Sequence, residues 1–370
     1  MAPFDDRDRA FMQRALELAE LGMFTTPPNP RVGCVLVADG RIIGEGWHER
    51  AGEAHAEVLA LRDAGGRGES AAGSTAYVTL EPCNHHGRTP PCCDALLAAR
   101  VSRVVVAMAD PNREVTGGGI ARLHAAGVDV SVGVLEAEAR ALNVGWIQRM
   151  AIGRPWVRMK IAASLDGRTA LENGRSQWIT SEAARADGHR WRARASGVLT
   201  GIGTVLQDDP QLNVRAVATT RQPVKILVDR HGQLPPDARL LQEGEIIVVS
   251  AEARRQWPPR VEPLLLPDNR GRVDLRAMMD ALGARGMNEI HVEAGAKLNA
   301  ALLEAGVVDE LLIYLAPCLI GDPARGMLAR GSPLAALDGS IRVSIDSMEP
   351  VGDDWRLRAR VRRTPESDRV

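Results

Sequence analysis

His55-Ala56-Glu57, and further on Glu81-Pro82-Cys83-Asn84-His85-His86-Gly87-Arg88-Thr89-Pro90-Pro91-Cys92, decide how this chain is read. Together they supply one imidazole, two well-separated thiols and a carboxylate next to the imidazole. A metal ion that activates water needs three protein ligands and an open fourth position, because a closed tetrahedron has nothing left to activate. His55, Cys83 and Cys92 supply three ligands, and Glu57 remains to move protons. A closed structural site with His85 or His86 as the fourth ligand is the competing arrangement, and it has no use for Glu57.

Residues two apart do not share one face of a regular helix, so His55 and Glu57 can both reach a metal only at a helix start. A helix N-terminus at Cys92 would favour its thiolate form. One imidazole, two thiolates and a free acid form the set that activates water to displace an amino group from a nucleobase ring. Hydrolytic deamination by zinc, with Glu57 as acid and base, is the chemistry these residues point to.

Around the motifs the chain alternates between helical and extended periods. Residues 5–21 place Phe11, Ala15, Leu18 and Ala19 on one helical face. Residues 32–37 and 41–46 are extended runs joined by Asp39-Gly40, a two-residue hairpin signal. A helix over 56–63, a strand over 75–80 and a helix over 93–100, with Pro90-Pro91 suited to its first turn, come next. A strand over 101–107, a helix over 120–126, a strand over 128–132 and a helix over 136–150 complete an α/β layered domain. Gly117-Gly118-Gly119 lacks the full dinucleotide fingerprint and reads as turn and packing glycines, while Cys34 and Cys93 read as ordinary small side chains.

Gly153-Arg154-Pro155 interrupts this series, which places a domain boundary near residue 150 and divides the chain into 1–150 and 151–370. The second part reads as strand 156–162, helix 181–195, strands 197–200, 224–228 and 245–249, helix 275–284, strand 289–293, helix 297–305 and strand 310–315. Ile341, Val343 and Ile345, then Trp355, Leu357 and Ala359, alternate on either side of Gly352-Asp353 as a closing antiparallel pair. The final RRTPESDRV reads as a frayed end.

Composition narrows the partners. The 370 residues are 45% hydrophobic, ample for more than one core. Net charge is -1, from 46 basic and 47 acidic residues, and no like-charged block suggests a grip on nucleic acid or an anionic membrane. A small-molecule substrate is expected. Five cysteines, three of them at positions 83, 92 and 93, fit metal binding in a reducing compartment better than a disulfide framework. The charged, amphipathic start lacks the apolar core of a signal peptide, and no apolar run approaches the roughly 20 residues that span a bilayer. A cytoplasmic protein is expected, and a homo-oligomer is compatible with the sequence.

The zinc constellation resembles the cytidine deaminase superfamily, although its two cysteines are nine apart rather than in a Cys-x-x-Cys. That departure, together with Asn29-Pro30, Val32-Gly33 and Gly46-Trp47-His48, is similar to the deaminase half of the bifunctional deaminase-reductase family of riboflavin biosynthesis. The resemblance implies that Asn29, His48, His85 and Arg88 line the substrate site. Asn29 can read a pyrimidine edge, and Arg88 can hold a phosphate as a two-pronged donor.

Lys160-Ile161-Ala162-Ala163-Ser164-Leu165-Asp166-Gly167-Arg168 and Ser176-Gln177-Trp178-Ile179-Thr180-Ser181 resemble the reductase half of the same family, which has the dihydrofolate reductase fold and uses NADPH. Thr204-Val205-Leu206, Asp208-Asp209-Pro210, Leu212-Asn213-Val214-Arg215 and Val292-Glu293-Ala294-Gly295 continue the match in order. The resemblance implies an α/β chain with a cytidine-deaminase-like three-layer domain and a dihydrofolate-reductase-like domain. It places the cofactor at Ala162, Trp178, Thr204, Asp208, Gly295, Ala296, Lys297, Leu298, Asn299, Ala300 and Ala301, where a small-residue turn before a helix suits a pyrophosphate. Substrate contacts fall to Lys160, Ser176, Arg192, Leu212, Arg215 and Glu293, with Arg192 and Arg215 as phosphate partners. Lys160 and Asp208 are candidates for proton handling near the hydride acceptor, an ordinary surface ion pair being the plain alternative.

The implied chemistry has two steps. The first is zinc-dependent deamination of 2,5-diamino-6-(5-phosphoribosylamino)-4(3H)-pyrimidinone. The second is reduction of its ribosyl chain by NADPH, giving 5-amino-6-(5-phosphoribitylamino)uracil. A deaminase acting on nucleic acid, with the second domain as a binding module, would want a basic, aromatic-lined surface, whereas aromatic content is 3%. A zinc-stabilised scaffold without activity would not need Glu57.

Overall fold

Asp5 starts the first helix by accepting the Asp8 amide on its side chain, so α1 runs Asp6–Leu21 and buries Met12, Ala15, Leu16, Leu18 and Ala19. The computed structural model describes residues 4–84, 90–112, 116–254 and 256–362, and the chain divides into units Met1–Gly153 and Arg154–Val370. Of the sequence expectations, those on His85, His86, Arg88 and most of the C-terminal RRTPESDRV lie outside the described residues.

In the first unit β1 (Gly33–Ala38) and β2 (Arg41–Trp47) form a hairpin. Its turn residues Asp39 and Gly40 both have positive φ, as the Asp-Gly signal requires. Next come α2 (Ala56–Gly66), β3 (Thr75–Val78), α3 (Cys92–Ala98), β4 (Arg103–Val106), α4 (Gly118–Ala125) and β5 (Asp129–Val132). The sheet order is β2-β1-β3-β4-β5, antiparallel through β3 and parallel from β3 to β5.

Register explains the layering. Cys34 pairs with Gly46 and Gly33 with Trp47, so Gly33 and Gly46 point to opposite faces of the sheet. A Cβ at Gly33 would fall 1.9 Å from Ala15 O of α1, and one at Gly46 would fall 2.4 Å from Ala60 N of α2. Bare glycine backbone therefore lets α1 and α2 lie directly on the two faces. This close seat brings the first turn of α2, with Glu57, against the sheet.

Two local expectations need correcting. The single helix over 136–150 is two, α5 (Glu136–Leu142) and α6 (Val144–Ile152). Asn143 breaks it: its side-chain Oδ1 accepts from Arg31 N at 2.8 Å and its Nδ2 donates to Arg31 O at 2.8 Å. Pro91 is the residue preceding α3, with φ -57° and ψ 137°, rather than part of its first turn.

The second unit is built on a sheet ordered β11-β10-β9-β8-β12-β6-β13-β16-β15 among the described residues. Its strands are β6 (Trp156–Ser164), β8 (Gly197–Gly201), β9 (Val224–Val228), β10 (Ile246–Ser250), β11 (Val261–Leu265), β12 (Glu289–Val292), β13 (Glu310–Ala316), β15 (Val343–Val351) and β16 (Asp354–Val361). All neighbours are parallel until β16, which pairs antiparallel with both β13 and β15. The helices are α7 (Glu182–Arg194), α8 (Ile202–Asp208), α9 (Leu275–Ala284) and α10 (Ala296–Glu304), and β7 (Arg168–Ala170) pairs with β14 (Arg325–Gly326). The elements β7, α8, β11 and β14 were not anticipated from the sequence. Ser181 caps α7, and its hydroxyl donates to Asp354 Oδ2 at 2.7 Å, tying the helix start to the final hairpin.

Among the described residues no helix is long and apolar enough to cross a membrane.

Candidate active sites

In the first unit the site lies at the carboxyl ends of β3 and β4, where adjacent parallel strands leave a crevice. Leu80, Glu81 and Cys83 follow β3, Asp110 and Asn112 follow β4, and all five line one cleft with Asn29, His48, His55 and Glu57. His55 immediately precedes α2 with extended backbone, and Glu57 sits in the first turn, so both reach the cleft from a helix start. Cys92 is the first residue of α3.

The ligand atoms of His55, Cys83 and Cys92 all lie within 4.8 Å of one another. His55 Nδ1 is 3.2 Å from Cys92 Sγ and 3.6 Å from Cys83 Sγ. A tetrahedral zinc with ordinary bond lengths sets a sulfur–nitrogen edge of about 3.6 Å, which the Cys83 edge meets and the Cys92 edge undershoots by a few tenths of an ångström.

Glu57 is buried. Burial raises its pKa, and the nearby Cys83 thiolate adds to the effect. A carboxyl moved toward neutrality suits proton transfer at working pH. A hydrogen bond from Cys92 lowers the Cys83 thiol to about 4, with His55 also contributing. Cys92 is pushed far up by sharing its proton with Cys83. Without metal the two thiols share a proton, and a bound dication would deprotonate both.

His48 is 3% exposed. Its Nδ1 lies 3.1 Å from Ala54 O, and its Nε2 lies 3.0 Å from Asn29 Nδ2. The carbonyl can only accept, so Nδ1 carries the proton and Nε2 accepts from the Asn29 amide. Burial lowers the His48 pKa and favours this neutral form. Asp110, Asn112 and Trp146 line the same cleft and were not singled out from the sequence. Position at a parallel strand end is the signal that could have found the first two.

In the second unit Ala162 on β6, Thr204 after β8, and Gly295 with α10 after β12 come from three adjacent strands in the order β8-β12-β6. Gly295 precedes α10 with no side-chain cap, and a Cβ there would meet only Thr204 Oγ1, at 3.9 Å. The Oδ1 of Asn299, itself 3% exposed, has no hydrogen-bond partner among the described residues. Uncapped helix N–H groups and an open glycine turn fit the pyrophosphate of such a cofactor, and the Asn299 oxygen can accept from one of its hydroxyl or amide donors. Lys297 is exposed, while Ala296, Leu298, Ala300 and Ala301 form the body of that helix. The Trp178 indole is exposed and stacks under the Arg185 guanidinium at 4.4 Å.

Glu293 anchors the adjoining cluster. Arg192 donates to it through Nε and Nη2, each at 2.8 Å, and spends Nη1 on Asn213 O at 2.6 Å. Both prongs of Arg192 therefore face Glu293, while Arg215 is exposed and bonds Asn213 Oδ1 at 3.1 Å. Burial would raise the Glu293 pKa, but the Arg192 guanidinium beside it holds it well below the usual carboxylate range. Burial depresses Lys160, which feels the charges of Glu293 and Arg192. Asp208 is raised by burial and feels Arg325. Leu212 is buried with φ +52°, a strained conformation for this side chain. Ser176 is half-buried on the segment leading to Trp178.

Two histidines missed in the sequence belong to this cluster. His291 Nε2 lies 3.4 Å from Glu293 Oε1. Burial lowers His189 to about 4, and Arg192, Arg215 and Lys160 add to the shift.

A nucleophile-activating metal triad with a buried acid, on a three-layer sheet, defines a zinc-dependent deaminase, here continued by a second α/β unit. Residues 5–108 match the family model described as cytidine and deoxycytidylate deaminase zinc-binding region, and residues 155–357 match the RibD C-terminal domain. The chain is 52% identical over 335 residues to the riboflavin biosynthesis protein RibD of Escherichia coli K12, covering 87% of this chain and 90% of that one. A solved structure of Acinetobacter baumannii RibD superposes with a TM-score of 0.88 at 41% identity, over 96% of this chain and 99% of its own. The Thermotoga maritima diaminohydroxyphosphoribosylaminopyrimidine deaminase/5-amino-6-(5-phosphoribosylamino)uracil reductase also gives 0.88, at 34% identity and the same coverage. The chain belongs to the RibD family of bifunctional deaminase-reductases of riboflavin biosynthesis, with a zinc-binding deaminase domain and an NADPH-dependent reductase domain.

Proposed function

We propose that the chain carries out two consecutive steps on one phosphorylated pyrimidine, deamination in residues 1–150 and reduction in residues 151–370. The substrate of the first is 2,5-diamino-6-(5-phosphoribosylamino)-4(3H)-pyrimidinone, and the product of the second is 5-amino-6-(5-phosphoribitylamino)uracil. The observation that carries this reading is the convergence of buried Glu57, Asn29 and His48 on the same cleft as the His55 and Cys83 ligand atoms.

Zinc, when bound, supplies a water acidified toward neutrality, and NADPH supplies a hydride. His55, Cys83 and Cys92 hold the ion. Glu57 takes the water's proton and passes it to the ring and the departing amine. Asn29, its amide nitrogen committed to His48, presents Oδ1 to the pyrimidine edge. His85 and Arg88 complete the substrate contacts, with Arg88 on the phosphate.

In the second unit Ala162, Trp178, Thr204, Asp208 and the Gly295 turn with α10 hold the cofactor. Lys160, Ser176, Leu212 and Arg215 receive the sugar phosphate, and the Arg192–Glu293 pair offers a fixed carboxylate to its hydroxyls. The surplus of cationic groups around Glu293 suits an anionic ligand. Balanced charge and low aromatic content favour a free small molecule over nucleic acid. Five free cysteines fit a reducing cytoplasm.

Mass spectrometry of the products tests the assignment. Without NADPH the substrate should become one mass unit heavier, as an amino group gives way to hydroxyl. Adding NADPH should raise it by two more. Reduction of the undeaminated substrate at an equal rate would contradict the proposed order.

A further inference from the structure

We infer that Glu81 is a positioning residue for the metal site: its carboxylate fixes the Cys83 ligand loop against the start of α4 and the far wall of the cleft. This rests on the zinc-deaminase reading above. Glu81 is 4% exposed and sits two residues before Cys83. Its Oε1 accepts from Gly119 N at 3.0 Å and Ile120 N at 3.3 Å. Its Oε2 accepts from Asp110 N and Gly117 N, both at 3.1 Å. One side chain thus satisfies four backbone amides, three at the N-terminal end of α4 and one in the cleft wall.

The surrounding backbone closes the arrangement. Glu81 N donates to Met108 O at 3.0 Å, registering the loop against the end of β4. Cys93 Sγ donates to Pro82 O at 3.4 Å, and a Cβ at Gly119 would fall 2.1 Å from that same oxygen. Cys93 N also donates to Cys83 O at 3.3 Å. The segment carrying the Cys83 thiol is therefore held from both sides; Arg122 of α4 also donates to Asn84 Oδ1 at 2.8 Å, but from the exposed surface, whereas the buried Glu81 carboxylate joins the segment to both α4 and Asp110. Groups that orient a metal ligand from behind typically change metal affinity roughly 10–100-fold when removed.

Gln at this position keeps the shape but presents an amide N–H₂ toward backbone donors, so one pair of hydrogen bonds becomes a repulsion. The test loads metal-free full-length wild type and E81Q with cobalt(II), reads the thiolate-to-metal and ligand-field absorption, and titrates each against a chelator. The expected result is roughly 10–100-fold weaker cobalt binding with shifted ligand-field bands at saturation, while NADPH oxidation by the second unit, assayed with the already deaminated 5-amino-6-(5-phosphoribosylamino)uracil, is unchanged. Wild-type affinity and bands in E81Q overturn the inference. If circular dichroism shows that E81Q loses the fold of the first unit, E81D decides by the same two readouts. It keeps the charge but withdraws it by one methylene, and wild-type affinity and bands there overturn the inference equally. Failure of wild type itself to bind cobalt(II) through thiolates would instead sink the zinc-deaminase reading.

Discussion

Asn29 Nδ2 lies 3.0 Å from His48 Nε2, and the opposite ring nitrogen of His48 lies 3.1 Å from Ala54 O. The backbone carbonyl thereby sets the imidazole tautomer, and the imidazole sets which end of the Asn29 amide faces the cleft. Replacing His48 with Ala frees that amide to flip. We predict a rise in the deaminase KM of roughly tenfold, the equivalent of one hydrogen bond of about 1.5 kcal/mol. Zinc content and reductase activity should stay at wild-type levels, as steady-state kinetics and metal analysis would show.

Glu57 is buried in the cleft that His55 and Cys83 line. E57Q should lower ammonia release roughly 100- to 10,000-fold and retain one zinc per chain. A variant that releases ammonia at the wild-type rate would remove Glu57 from the chemistry.

Gly46 seats α2 on the sheet, where a Cβ would fall 2.4 Å from Ala60 N and 2.5 Å from Ala56 O. Backbone cannot yield as a flexible side chain would. G46A should destabilise the first unit by roughly 1–3 kcal/mol and weaken zinc binding by shifting His55 and Glu57. Calorimetry should show the loss in the transition of the first unit, with that of the second unmoved.

Glu310 is 2% exposed and accepts from Trp156 Nε1, Arg158 Nε and Arg358 Nε at 2.9, 3.0 and 2.8 Å. Burial would raise its pKa, but Arg158 and then Arg358 bring it down to about 2 from 4.5. Its contribution to stability is therefore complete above about pH 4.5 and is lost as pH falls toward 2. The thermal midpoint of the second unit should drop across that window. E310Q should start lower and show a shallower drop, and equal slopes for the two proteins would contradict this assignment.

The metal triad was legible because zinc accepts few side chains and fixes their chemistry, so His55, Cys83 and Cys92 announce themselves by type. The hairpin at Asp39-Gly40 was legible because positive φ restricts the residues that can stand there. The four amides on Glu81 were not, since backbone N–H groups carry no residue signature. Asn143 was hidden for a related reason: its partner is the backbone of Arg31, 112 residues away, inside a run whose apolar periodicity reads as one helix. Glycines at 201 and 203 masked the short helix α8. His189 joins Glu293 only through the packing of α7 on β12, which no local pattern encodes, whereas His291 stands on β12 two residues before Glu293, a period-two relation that could have found it.

The most direct test of a two-step enzyme gives zinc-loaded full-length protein the phosphorylated diaminopyrimidine with NADPH and follows ammonia and NADPH absorbance together. The account predicts ammonia first, then NADPH loss approaching one equivalent per ammonia. Ammonia without any NADPH loss would contradict the bifunctional claim, and NADPH loss without ammonia would contradict the deaminase.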